Sequence, residues 1–358
     1  MGKKLFGALK HQKSNMTDKK ILVTGGTGLV GSHLLYELVS KGSSVRAMIR
    51  NKANIEKVRK VFAYYTNSFN ELIEKIEWIE GDVLDMVSLE EAFENISIVY
   101  HCAAVVSFTN KNKSELLKTN IEGTENIVNM CLDKNIEKLC YVSSVAAIGS
   151  TENGDQVTEK EMWIPADDHS FYSISKFKSE MEVWRGVQEG LNAVIVNPSV
   201  ILGPGFWESG SGEIIKKGSK GMLFYTLGKT GFVDVRDVVS CMIKLTESNI
   251  AGERFILNSE NLTYKELFTE MASAFGVAKP KFNADKKLMK TAWLADSFLS
   301  LIRIKKQEIT KSIVKSSLNK TEYSNKKIKE TLGFKFIPVK ESIRFAVEKF
   351  NQEIKARK

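Results

Sequence analysis

The sequence predicts an α/β protein, a doubly wound parallel sheet followed by a smaller, mainly helical C-terminal domain. Three observations carry this. From Lys20 to Pro198 short apolar runs alternate with amphipathic stretches, the rhythm of strand–helix–strand units. The first apolar run ends in a cluster of glycines. After Pro198 the rhythm breaks into a Gly-rich stretch and then mainly helical segments.

The elements follow in order. Lys20–Thr24 (KILVT) is a short apolar run closed by glycines, which reads as a buried strand. Leu29–Ser40 is helical, with Leu34, Leu35, Leu38 and Val39 on one face. Ser44–Ile49 is a second strand, a long charged helical stretch follows, and Ile76–Ile79 is a third strand. A helix near Ser88–Glu94 leads to a strand at Ile98–Ala104. Lys113–Leu132 (helix), Lys138–Ser143 (strand), Phe171–Gln188 (helix) and Ala193–Val196 (strand) complete the alternation. Parallel strands need such crossovers, and the crossovers put helices on both faces of the sheet. Ile201–Lys229 is Gly-rich and irregular. Gly231–Asp234 reads as a strand, Val235–Thr246 as a helix, Arg254–Leu257 as a strand, and the chain from Thr263 onward as mainly helical.

Composition narrows the class. The chain has 358 residues, 43% hydrophobic and 9% aromatic, ample for a substantial core. No apolar run reaches the roughly 18 residues of a membrane-spanning helix. The basic, polar start, Met1–Lys20, lacks the pattern of a secretory signal, so a cytoplasmic address is expected. The cysteines Cys102, Cys131, Cys140 and Cys241 form no CxxC pair, and no His/Cys cluster has metal-ligand spacing. Buried, reduced thiols and no metal are expected. The net charge of +9 sits at the ends: residues 1–20 carry six Lys against one Asp, and residues 305–358 carry fifteen Lys+Arg against six Asp+Glu. The body between is acidic on balance, which argues against a nucleic-acid partner.

The first strand runs into Thr24-Gly25-Gly26-Thr27-Gly28-Leu29-Val30-Gly31. Gly25 would permit the tight turn, Gly28 would let the backbone approach a pyrophosphate, and Gly31 would let helix pack on strand. Phosphates would rest at the helix N-terminus, where unpaired N–H groups and the helix dipole favour anions. Such a turn is weak evidence alone. Between the first strand and the first helix it predicts a dinucleotide-binding Rossmann fold, with Gly25, Thr27, Gly28, Leu29, Val30 and Gly31 as the cofactor cradle. The second strand ends in Arg50. An acid there would hold the ribose 2′-hydroxyl of NAD, whereas an arginine can pair with the 2′-phosphate of NADP. NADP is therefore the expected cofactor and NAD the alternative.

A Tyr and a Lys four residues apart can share a helix face, but this chain has that spacing at Tyr172/Lys176, Tyr225/Lys229 and Tyr323/Lys327. Context selects Tyr172. It opens an amphipathic helix, and the preceding strand ends in Ser143-Ser144. A nearby ammonium favours the phenolate and should lower the Tyr172 pKa. Tyr172 would then exchange a proton with a carbonyl or alcohol oxygen while a nicotinamide exchanges hydride. Lys176 would be its electrostatic partner and would hold the nicotinamide ribose; Ser144 would orient the substrate oxygen.

Together these segments resemble the extended short-chain dehydrogenase/reductase family, which includes the NAD(P)-dependent epimerase/dehydratase proteins. The resemblance covers roughly Lys20 to Leu257. Beyond the glycine turn it rests on Gly81-Asp82-Val83, His101-Cys102-Ala103-Ala104, Asn120, Ser143-Ser144, Tyr172 to Lys176, Asn197-Pro198-Ser199 and Phe232 to Asp237. It implies that Asp82 and Val83 flank the adenine, Ala103 and Ala104 line the cofactor, and Pro198 and Ser199 lie near the nicotinamide. It also implies a homodimer through the two long helices. Arg50, Asn197-Pro198 and the acid-free Val145–Gly149 resemble the dihydroflavonol-reductase and hydroxysteroid-dehydrogenase branch more than the sugar-nucleotide branch.

The expected domains are a basic tail (1–18), a dinucleotide-binding domain (19–200 plus 231–258) and a substrate-binding domain (201–230 plus 259–358). The expected function is NADP-dependent reduction of a carbonyl, or oxidation of the alcohol, on a small, fairly apolar molecule. The alternatives are an NAD-retaining sugar-nucleotide epimerase and a non-catalytic NADP-binding regulator. His101 and His169 read as packing and loop residues. Gly203–Gly212, with Trp207, reads as a mobile loop suited to a substrate lid. Leu288–Ile302 reads as a core or pocket wall, with a membrane-surface helix beside the basic Arg303–Lys306 as the alternative.

Overall fold

The computed structural model describes residues 19–106, 113–151, 154–165, 169–301 and 310–356; the basic tail lies outside them. Strands β1 (Lys20–Thr24), β2 (Ser44–Ile49), β3 (Ile76–Glu80), β4 (Ile98–His101), β5 (Lys138–Val142) and β6 (Ala193–Pro198) alternate with six helices. These are α1 (Leu29–Ser40), α2 (Ile55–Phe62), α3 (Phe69–Glu74), α4 (Met86–Ala92), α5 (Lys113–Asp133) and α6 (Phe171–Gln188). Next come β7 (Val200–Leu202), α7 (Gly210–Gly218), β8 (Phe224–Tyr225), β9 (Lys229–Asp234), α8 (Val235–Glu247), β10 (Glu253–Leu257) and β11 (Glu260–Thr263). Last are α9 (Tyr264–Phe275), β12 (Phe282–Asn283), α10 (Lys286–Leu301), α11 (Lys311–Leu318), α12 (Lys326–Leu332) and α13 (Val339–Ala356).

The main sheet has seven strands in the order β10-β6-β5-β4-β1-β2-β3. Every pairing in it is parallel. This is the expected doubly wound α/β architecture. The order reverses between β1 and β4, and ligands of open α/β sheets bind beside that point at the carboxyl ends of the strands. The strands read as unbroken apolar runs because both faces are covered. In β1, Ile21 and Val23 enter the core beneath α1 and α8, while Leu22 enters the core on the opposite face. In β5, Cys140 faces the first core, and Leu139 and Tyr141 face the second, beneath α5 and α6.

Beyond β6 the structure holds more regular elements than the sequence pattern shows. Ile201–Lys229 contains β7, α7 and β8. Glycines hide α7, yet close packing requires one of them: a Cβ on Gly212 would run into the Phe206 carbonyl. The strand expected at Gly231–Asp234 is part of β9, which does not join the main sheet. It lies between β7 and β11 in a small three-stranded sheet. That sheet packs with α7, α9 and α13 around a separate core that includes Trp207, Phe232, Met271 and Ile343. The 203–212 stretch is anchored there. Trp207 is buried, meets Phe350 edge-on at 5.2 Å, and donates to Glu353 of α13 at 2.7 Å. A loop held this way does not serve as a freely opening lid. Among the described residues no helix is long and apolar enough to cross a membrane.

Candidate active site

The turn after β1 is built around close approach. Gly25 has φ +68°, and a Cβ there would lie 2.5 Å from the Ala103 amide nitrogen in the loop after β4. A Cβ on Gly31 would collide with the Gly25 carbonyl. The two loops flanking the reversal of strand order therefore touch backbone to backbone, which side chains at these positions would prevent. Gly28 starts α1 with no side-chain cap, and the first turn carries no acid. The leading N–H groups of a helix have no intrahelical acceptor. At the same sheet, by contrast, Asp85 caps α4, Ser170 caps α6 and Asp234 caps α8, although α2, α3, α7 and α12 also start without a side-chain cap. The bare, glycine-lined start of α1 fits a diphosphate in charge and in space.

The other expected cofactor residues line the same edge. Arg50 is exposed just past β2 and makes no hydrogen bond or ion pair among the described residues, whereas its neighbour Lys52 pairs with Glu80 at 3.8 Å. Asp82 follows β3 and accepts from the Leu84 amide at 2.9 Å. Val83 is buried and fills the space a Cβ on Gly123 would need. Ala103 is half-buried and Ala104 exposed. Pro198 ends β6. Ser199 turns inward instead of toward the edge, its hydroxyl donating to the Leu257 carbonyl at 3.2 Å.

Ser144, Tyr172 and Lys176 come together at this edge. Ser144 caps the short turn Val145–Ala147 after β5, accepting from the Ala146 amide at 3.1 Å. Ser173 ties that turn to α6 by donating to the Ala146 carbonyl at 2.5 Å. The half-buried Tyr172 phenol is pushed above its ordinary pKa by burial, and a hydrogen bond with Ser144 opposes the shift. The expected lowering by an ammonium is therefore reversed. Lys176 is buried, and its ammonium donates at 2.8 Å to both the Tyr141 hydroxyl and the Val142 carbonyl. It also lies 4.5 Å from the centre of the Tyr141 ring. An ammonium has three N–H donors, so one is left without a protein acceptor among the described residues. Burial pulls the Lys176 pKa down to about 7, against the opposing charge of Glu180.

Around the trio stand supporting residues, of which the sequence singles out His101 and Asn120 but not Tyr141 and Glu180. Tyr141 stacks on His101 at 5.5 Å. His101 is wedged between the Thr24 and Thr124 hydroxyls at 2.7 and 3.1 Å, and burial holds its pKa down to about 3. It packs, as expected. Asn120 clamps the loop after β4 by donating to the Val105 carbonyl and accepting from its amide, and it also donates to Ser175 of α6 at 3.0 Å. Glu180 is the largest omission. Fully buried, it accepts from Ser143 at 2.6 Å, Asn197 at 2.8 Å and Arg254 at 2.9 Å. Asn197 also donates to the Ser144 carbonyl at 3.1 Å. Glu180 thus ties β5, α6, β6 and β10 together behind the serine. The available signal was a carboxylate four residues past Lys176, on the buried face of α6.

His169 donates from Nε2 to the Ile164 carbonyl of its own loop at 2.8 Å, and its ring stacks on Trp163 at 4.2 Å. Leu288 and Leu294 of α10 are exposed, so the expected apolar wall does not cover them. The side chains of Phe298 and Leu299 and all of 302–309, including Arg303–Lys306, lie outside the described residues.

This fold and edge are those of the extended short-chain dehydrogenase/reductase proteins, which include NAD(P)-dependent reductases and epimerases. The profile of the NAD dependent epimerase/dehydratase family matches residues 21–257, and the chain belongs to that family. It is 29% identical over 272 residues to sterol demethylase protein B of Methylococcus capsulatus, covering 75% of this chain and 78% of that one. It is 24% identical over 349 residues to cinnamoyl-CoA reductase 1 of Petunia hybrida, covering 95% and 94%. UDP-glucose 4-epimerase of Thermotoga maritima, solved with UDP-glucose, superposes with a TM-score of 0.72 at 21% identity, over 94% of this chain and 99% of that one; it shares the fold.

Removing the Glu180 carboxylate would leave the Arg254 guanidinium, only 17% exposed, without its counter-charge. Glu180→Ala should destabilise the protein by about 3–5 kcal/mol in urea unfolding. A loss below about 1 kcal/mol, the worth of a surface pair, would show that this ion pair does not hold the site together.

Proposed function

We propose that the protein is a cytoplasmic NADP-dependent reductase of a carbonyl on a small, fairly apolar molecule, able to run in reverse on the alcohol. The observation that carries this reading is the meeting of Ser144, Tyr172 and Lys176 beside the bare glycine turn. The bound cofactor would supply hydride. Its diphosphate would rest on the Gly25–Gly31 turn, its adenine near Asp82 and Val83, and its nicotinamide near Ala103, Ala104, Pro198 and Ser199. Tyr172 gives its phenolic proton to the carbonyl oxygen. A phenol held above its ordinary pKa stays protonated at neutral pH, which suits a proton donor. Ser144 shares its hydrogen bond with Tyr172 and orients the substrate oxygen. Lys176 stabilises the phenolate as the proton leaves, and its remaining N–H serves the nicotinamide ribose. The apolar substrate body is supported by the names of two relatives, which act on a sterol and a cinnamoyl thioester. A homodimer through α5 and α6 belongs to the same reading; Met181 of α6 is exposed although apolar.

Tyr172→Phe should lower kcat by about 10²–10⁴-fold with little change in NADPH affinity, because only the proton donor is lost. Unchanged turnover would remove Tyr172 from the chemistry.

The Lys176 ammonium is the charged form below about pH 7 and is lost above it. The kcat/KM for carbonyl reduction should therefore fall as pH rises through that value, and Lys176→Met should erase this limb of the profile as well as slow the reaction. A limb that persists in Lys176→Met belongs to another group.

Arg50 decides the cofactor. Calorimetric titration should show NADPH binding more tightly than NADH, and Arg50→Ser should weaken NADPH by roughly tenfold or more while sparing NADH. Equal affinities, or a site filled with NAD on purification, would move the reading to the NAD-retaining epimerase.

A further inference from the structure

We propose that the outer face built by β8, β12 and α10 docks on an anionic lipid surface. The proposal stands independently of the chemistry at Tyr172. The face is apolar where a soluble surface would be polar. Leu223 and Phe282 are 54% and 52% exposed. Phe224 and Leu227 are each 47% exposed, Leu288 42% and Leu294 52%. Leu223, Phe224 and Phe282 are held together. β8 and β12 pair with Phe282 opposite Phe224, and these two rings lie 5.8 Å apart. The Leu223 carbonyl accepts from the amides of Lys281 and Phe282, which brings the 220s and the 280s together. Three residues beyond β12, α10 begins and carries the pattern on.

Charge says what covers this face. Lys220, Lys279, Lys281, Lys286, Lys287 and Lys290 are all exposed around the apolar residues. None makes an ion pair among the described residues. Lysines on neighbouring elements do: Lys216 reaches Glu208, Lys217 reaches Glu213 at 2.9 Å and Lys340 reaches Glu270 at 3.6 Å. Residues 218–228 contain no acid, and the one acid in 278–290, Asp285, is occupied at the start of α10, accepting from the Leu288 amide at 2.9 Å. A second copy of the chain is a poor occupant, because two such faces would set lysine against lysine. An anionic bilayer meets both halves of the pattern. The phenylalanines and leucines enter the boundary between headgroups and acyl chains, while the lysines remain among phosphates.

Full-length protein should be pelleted with phosphatidylcholine vesicles containing roughly one-third phosphatidylglycerol, and with pure phosphatidylcholine vesicles. It should sediment with the first and not with the second, and salt of roughly half molar should release it. The double variant Leu223→Ser/Phe282→Ser and the triple variant Lys279→Glu/Lys281→Glu/Lys287→Glu should each lower the partition coefficient at least about tenfold. Both change exposed side chains, so thermal melting should match the parent and confirm the fold. Three results would overturn the proposal. The parent could remain in the supernatant with anionic vesicles. Both variants could pellet as the parent does, which would assign binding to the basic termini. The parent could be a dimer that Leu223→Ser/Phe282→Ser dissociates, which would make the face an interface between copies.

Discussion

The site depends on two loops touching backbone to backbone at the reversal of strand order. The turn after β1 and the loop after β4 approach so closely that a Cβ on Gly25 would strike the Ala103 backbone, and one on Gly31 the Gly25 carbonyl. That contact fixes the direction in which α1 leaves the sheet and hence where its uncapped end points. It also brings the Cys102–Val105 segment down to Asn120, which joins it to α6 through Ser175. The glycine turn and α6 are thus connected through few intermediates, none of them a long flexible side chain. Parallel register supplies the rest. With all seven strands pointing one way, every loop that matters leaves from one edge.

Behind that edge the polar groups form a closed network. Lys176 and Glu180 are both fully buried on α6, and burying either charge alone would be costly. Each is met by several partners. Glu180 has the Arg254 guanidinium, the Ser143 hydroxyl and the Asn197 amide; Lys176 has the Tyr141 hydroxyl and the Val142 carbonyl. The arrangement is asymmetric in a way that suits function. Glu180 is saturated by groups that hold strands and helix together, so its role is positional. Lys176 keeps an unspent donor, which is what the proposed role toward a nicotinamide ribose requires.

The residues that sequence revealed and those it hid differ in kind. The glycine turn was legible because its requirements are local: a positive φ, a missing Cβ and a strand before a helix. Tyr172 was separable from Tyr225 and Tyr323 because only it opens a helix after a strand ending in serines. The raised Tyr172 pKa was not legible, since it comes from burial, which the i,i+4 spacing with Lys176 does not report. Tyr141 read as one more apolar strand residue. Its role arises because β5 alternation turns it under α6. Arg254 acts across the sheet on Glu180, 74 residues earlier in the chain, a contact no period encodes. The small sheet of β7, β9 and β11 was hidden for the same reason: its strands are short and pair across long intervals.

The C-terminal region shows what an apolar residue in sequence does not reveal. Trp207 and Leu294 have equal claims to a core by composition. Trp207 is buried against Phe350 and Glu353, whereas Leu294 stands in solvent beside unpaired lysines. The separate core around Phe232, Met271 and Ile343 closes the region with α9 and α13, and the exposed apolar residues of β8, β12 and α10 are not part of it. A surface free of that duty, apolar and rimmed by one sign of charge, is shaped by what it meets outside the chain. The proposed reduction would gain from such a surface, because an apolar substrate concentrates in lipid rather than in water. The two proposals nonetheless remain separable, docking resting on the lysine-rimmed face and reduction on Ser144, Tyr172 and Lys176.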